Sequence, residues 1–139
     1  MSIYLDEKNP GKHKPFEDAS ADIVAYVRYL EVIAGKSANT AFSYYCDLRG
    51  FSRFMKRRRG LVPEDKDLKD IDPKGLDTAF WASVTKEDIY EYLYFLGSEC
   101  GNKKSSTARR LASLHGFYDY LVNQVNKLEQ DPTAAIHPP

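Results

Sequence analysis

At 139 residues, 42% hydrophobic and 13% aromatic, the chain has material for one domain around a single core. No run of about 18 apolar residues could span a bilayer, the opening MSIYLDEKNPGKHKP has no apolar secretory core, and Cys46 and Cys100 are too few for a disulfide scaffold; a soluble, cytoplasmic protein with two free thiols is expected. Formal net charge is zero, but six bases and no acid lie between Leu48 and Pro63, four bases and no acid lie between Cys100 and Tyr118, and the balancing carboxylates cluster in PEDKDLKDIDPKGLD. Local field rather than the total steers a ligand, so a polyanionic partner is not excluded.

Residues 1–15 carry Pro, Gly and Lys with little to bury and are expected to be flexible. The first predicted helix is ADIVAYVRYLEVIAG, with Ile23, Tyr26, Val27, Leu30 and Ile33 on one stripe and Gly35 as its stop. The second and longest is SANTAFSYYCDLRGFSRFMKRRRG: Ser37 is its N-cap, Ala41, Tyr44, Leu48, Phe51 and Met55 form the apolar stripe, and Gly60 ends it. A charged connection over 61–84 closes on GLDTAFWASV, where Leu76, Phe80 and Trp81 suit a short extra helix that plugs the bundle, with Trp81 in the core. The third main helix, TKEDIYEYLYFLGSECG, opens on a Thr85 cap with two acids in its first turn, and carries Ile89, Tyr92, Leu93 and Leu96. The fourth begins near Ser105 or Ser106 and carries Leu111, Leu114, Tyr118, Leu121 and Val125. With no alternating strand pattern, the expected fold is all-α, a four-to-five-helix orthogonal bundle over 16–130, with 131–139 beginning a linker.

On a helical wheel Arg49, Arg53, Lys56 and Arg57 share a sector of the second helix away from its apolar stripe, with Asn39 at the sector's edge and Thr40 and Ser43 in the same stretch. In the fourth helix Ser106, Arg109 and Ser113 share a face with Ser105, Ala112 and Gly116, opposite the leucines. Small side chains let a helix approach a duplex closely, while arginines reach past it to phosphates. The N-terminal turn adds Lys103, Lys104 and free backbone N–H groups, with Thr107 and Arg110 close by, a favourable place for an anion. These residues form the expected DNA-binding set. The competing structural reading is that KRRR is a solvated, dipole-favoured helix end and that Gly116 is a helix packing contact. His13, His115 and His137 are isolated, so no catalytic, cofactor or metal site is expected.

In order and spacing, SANTAFSYYCDLRGFSRFM, VTKEDIYEYLYFL, SSTARRLASLHGFYDYLVNQ and DPTAAIHPP resemble the N-terminal core-binding, SAM-like domain of tyrosine recombinases and phage integrases of the Xer kind, over roughly residues 20–139. Two positions depart from the family pattern: His115 stands where Arg is usual, and Asp131 replaces the Asn before Pro132 while keeping the turn chemistry. The resemblance implies one half of a clamp around double-stranded DNA, the other half being a separate catalytic domain, with other recombinase subunits as partners through the first helix in a synaptic tetramer. Family catalysis needs an H-x-x-R motif and a nucleophilic Tyr. No H-x-x-R is present, and Tyr26, Tyr44, Tyr92 and Tyr118 read as core, so the chain is expected to bind DNA without being an enzyme itself. The rival reading is a stand-alone helical protein-interaction module.

Overall fold

The computed structural model describes residues 16–137. The segment 1–15, with His13, and the last two residues lie outside it. Five α-helices build the fold, and no strand occurs among the described residues: α1 Ala21–Val32, α2 Ala38–Arg58, α3 Thr78–Ser83, α4 Lys86–Ser98 and α5 Lys104–Asp119. The all-helical class follows the sequence periodicity, and α3 is the short plug expected before the third main helix. None of the helices is long and apolar enough to cross a membrane.

Local chemistry sets most of the ends. Ser37 Oγ accepts the N–H of Thr40 at 3.1 Å to start α2, and Thr85 and Asp88 exchange hydrogen bonds with each other's backbone N–H in a capping box that starts α4. Gly35 and Gly60 end α1 and α2 in the left-handed region, at φ +66° and +71°, where a Cβ would be strained. After Asp119 the backbone winds more loosely through a π turn, Tyr120–Gln124, which leaves Val125 exposed instead of extending the α5 stripe.

Trp81 is fully buried, as expected, and its ring meets Phe117 edge-on and stacks near Phe51, while its carbonyl accepts the Tyr118 hydroxyl at 2.9 Å. The apolar stripe of α2 buries Ala41, Leu48, Phe51 and Met55 as expected and differs at one position: Tyr45 is buried there and Tyr44 only half-buried. Ile33 lies just past the end of α1 and is exposed. Asp22, in the first turn of α1, gathers distant ends by accepting from Thr78 Oγ1 at 2.6 Å and Lys127 Nζ at 2.9 Å.

The expected linker is packed on the bundle as far as residue 136. Thr133 and Ile136 are buried, Asp131 accepts the Thr133 N–H at 2.8 Å, and His115 Nε2 donates to the Ile136 carbonyl at 2.8 Å. Asp131 thus closes a local side-chain turn, and His115 holds the last described segment on the bundle.

Candidate nucleic-acid interface

The basic end of α2 is largely committed to internal contacts. Arg49 is only 4% exposed; its Nη2 pairs with Asp18 Oδ2 at 2.6 Å and its Nε–H donates to the Asp18 carbonyl at 2.8 Å. The outward position expected for Arg49 is therefore corrected: it tethers the approach to α1. Arg53 Nε–H donates to the Ile71 carbonyl at 2.9 Å, Lys56 Nζ to the carbonyls of Asp72 and Lys74, and Arg57 Nη1 to that of Lys66 at 3.2 Å. The Arg57 guanidinium also lies over the Phe95 ring at 5.6 Å. Arg58 and Arg59 both reach Asp88 at 2.8 Å. A connection with few backbone partners of its own needs donors for its carbonyls, and the basic run supplies them.

The small face of α5 is also partly internal. Ser113 is 0% exposed and Thr107 is buried, and a Cβ added at Gly116 would lie 2.2 Å from the Tyr26 hydroxyl of α1. Ser113 and Gly116 thus face the packed bundle rather than solvent, because α5 is covered on two sides, by its leucine face and by the side that meets α1 and α2.

The first halves of α2 and α5 remain open, and they meet. Ser43, Phe42, Cys46 and Asp47 from α2 and Arg109 and Arg110 from α5 line an open groove of about 390 Å³. One turn before Ser43 stand exposed Asn39 and half-buried Thr40; one turn before Arg109 stand exposed Ser105 and half-buried Ser106, with exposed Lys103 and Lys104 at the helix start. The α5 N-cap is Lys103, which provides no side-chain hydrogen bond to the first turn, unlike the capped starts of α2 and α4. The expected set is therefore divided. Ser43, Arg109 and Arg110 line the groove itself. Asn39, Thr40, Lys103, Lys104, Ser105 and Ser106 stand toward the starts of the two helices, with Lys104 facing a second pocket beside Tyr90 and Tyr94 of α4. Arg53, Lys56 and Arg57 lie toward the far end of α2, and Arg49, Thr107 and Ser113 are buried.

Two residues outside the expected DNA-binding set shape this groove. Asp47 is buried and accepts from Arg109 Nη1 at 2.8 Å and from Ser113 Oγ at 2.6 Å. Its sequence signals are its place as the lone acid of a basic helix and in the Asp-Leu pair of the stretch SANTAFSYYCDLRGFSRFM. Cys46 is half-buried; burial pushes its thiol up, although Arg49, Arg109 and Arg110 favour the thiolate. Beneath Arg110 the hydroxyl of Tyr92 is pushed up to about 12 by burial, with the same guanidinium pulling the other way. Among the described residues no group of three or more His, Cys, Asp or Glu is placed to hold a metal ion.

Residues 66–125 match the phage integrase N-terminal SAM-like domain. The chain is 35% identical over 114 residues to the tyrosine recombinase XerC of Caldanaerobacter subterraneus subsp. tengcongensis, covering 82% of this chain and 32% of that protein. It is 32% identical over 114 residues to the tyrosine recombinase XerD of Listeria monocytogenes serotype 4b, again covering 82% and 32%. The chain spans about a third of the length of these curated relatives. No solved structure matches it.

Proposed function

The chain carries the N-terminal SAM-like domain of the phage integrases, as found in tyrosine recombinases, and from that premise we propose that it binds double-stranded DNA in a sequence-directed way as the core-binding part of a site-specific recombinase. The observation that carries the reading is the groove where α2 meets α5, which holds the guanidiniums of Arg109 and Arg110, on a helix whose start at Lys103 has no side-chain cap. Backbone N–H groups and Lys103 and Lys104 suit phosphates, and the groove gives the remaining polar side chains a route to base edges. The stripe tyrosines Tyr26, Tyr92 and Tyr118 are buried, with Tyr118 donating to the Trp81 carbonyl, and serve packing rather than strand cleavage. No covalent protein–DNA adduct is therefore expected on any duplex, and one trapped on a denaturing gel would refute this division of labour.

Gel shifts at low ionic strength test the binding itself. Log affinity is expected to fall linearly with log salt, by about 0.9 per phosphate neutralised. Arg110→Ala, or Lys103 and Lys104 changed together to Ala, should weaken binding by about 1–3 kcal/mol. Arg53→Ala is the internal comparison: it should leave DNA affinity alone and cost about 1 kcal/mol of stability, because the Ile71 carbonyl loses its donor. Binding indifferent to salt, or lost with Arg53 and kept without Arg110, would place the duplex elsewhere.

The family also supplies a protein partner, other recombinase subunits. The end of α1 presents Val32 and Ile33, 78% and 72% exposed, which suits a subunit contact. Both surfaces belong to the same proposal.

A further inference from the structure

We infer that Arg109 addresses the acceptor edge of a guanine rather than a phosphate, and that Asp47 is the positioning residue responsible; this rests on the DNA-binding reading above. An arginine that grips phosphate works as an uncompensated positive charge. Arg109 is instead compensated, with the Asp47 carboxylate 2.8 Å from its Nη1. A phosphate approaching that guanidinium also approaches a carboxylate, and much of the attraction cancels. The neutral acceptors O6 and N7 of guanine meet no such opposition, and they suit two parallel N–H donors.

The geometry favours a fixed donor fork. Asp47 is buried, with 4% of its side chain exposed, whereas 45% of the Arg109 side chain is accessible. The carboxylate is itself clamped by Ser113 Oγ at 2.6 Å, from the residue one turn beyond Arg109 on the same helix. With Nη1 engaged by Asp47, Arg109 retains Nε–H and Nη2–H as a two-donor edge, and its rotamer is already restrained before any ligand arrives. Lys103 and Lys104 differ: neither takes part in the ion pairs recorded among the described residues, and as point charges they suit phosphates. The two kinds of cation thereby divide affinity from selectivity.

Selection of binding sites from a random duplex pool by the 139-residue chain tests this. The wild type should enrich a guanine at one or more positions, and Arg109→Ala should lose about tenfold discrimination at one of them. Asp47→Asn should lose the same discrimination while its affinity for random duplex stays level or rises, since an acid has been removed from a polyanion-binding groove. Replacing that guanine by 7-deazaguanine, which lacks the N7 acceptor, should weaken the wild type about tenfold and leave Arg109→Ala unaffected. Should Asp47→Asn fail to fold by circular dichroism, Ser113→Ala, which frees one side of the carboxylate, is expected to blunt the same preference in a folded protein. An Asp47→Asn protein that binds every duplex more weakly with its preference intact, or a 7-deazaguanine site bound as well as guanine, overturns the inference and leaves a structural ion pair only. A wild type that shifts duplex in a salt-dependent way but enriches no guanine also overturns it, with the DNA-binding reading intact. A wild type that shifts no duplex at low salt removes both.

Discussion

Gly116→Leu is expected to unfold the domain, and Gly116→Ala to destabilise it by about 1–3 kcal/mol, the usual cost of overpacking a tight contact. A Cβ at this position would lie 2.2 Å from the Tyr26 hydroxyl oxygen and 3.3 Å from Tyr26 Cζ, with Tyr44 Cε2 at 3.9 Å. Tyr26 cannot readily turn away. It is buried, and its ring packs between Phe117 at 5.8 Å and Tyr120 at 5.3 Å. The better helix propensity of Ala returns at most about 1 kcal/mol, less than the clash takes. Leucine adds three more carbons to the same site, against a total stability of about 5–15 kcal/mol for a typical domain. Urea denaturation followed by circular dichroism reads the effect. Tyr26→Phe makes it specific: removing the hydroxyl leaves the ring carbon at 3.3 Å as the nearest neighbour, so Gly116→Ala should cost less in the Tyr26→Phe background than in the wild type. A Gly116→Leu protein of unchanged stability that has lost DNA affinity would instead put this glycine on the duplex side.

That contact also explains where sequence reading succeeded and where it failed. Helix ends were legible because they depend on neighbours a few residues apart: Ser37 with Thr40, Thr85 with Asp88, Gly35 and Gly60 in the left-handed region. Trp81 was legible as core because so large an apolar group has few other places to go. The face of a small residue was not. Serine and glycine opposite a leucine stripe look solvent-facing on a wheel, yet α5 is covered on that side too, and only the tertiary arrangement shows that Ser113 meets Asp47, 66 residues away. Arg49 failed likewise, its partner Asp18 lying 31 residues earlier. The exposure of Asn39 and of Lys103, Lys104 and Ser105 was legible, because it needed no distant partner to be inferred.

The largest effect from a single charge is expected at Asp88, and it shows why the KRRR run is part of the scaffold. Burial alone would raise this carboxyl, but hydrogen bonds from Arg58, from the Thr85 backbone N–H and from Arg59 outweigh it and hold the group down at about 2. The side chain is 7% exposed and both arginines lie 2.8 Å away, 35% and 30% exposed, so solvent screens the pair only in part. A carboxyl depressed from 3.8 to about 2 by folding contributes about 2 kcal/mol at neutral pH. Because the folded value is the lower one, that contribution is complete above about pH 4 and disappears as pH falls toward 2. Asp88→Ala also loses the capping box and leaves two guanidiniums beside an empty site, for a total cost of about 3 kcal/mol at pH 7. Asp88→Asn retains the acceptor for the Thr85 N–H but not the charge, and should cost about 2 kcal/mol. Urea titrations of wild type and Asp88→Asn at several pH values separate this group from the other carboxylates: the stability gap between the two should be widest near pH 7 and close on acidification. A gap that stayed constant down to pH 2 would mean that the arginines are not what holds this carboxyl. They join the end of α2 to the start of α4, which packs against α5. Through that chain of contacts the basic run fixes the frame on which the groove residues of α5 stand, without itself touching the groove.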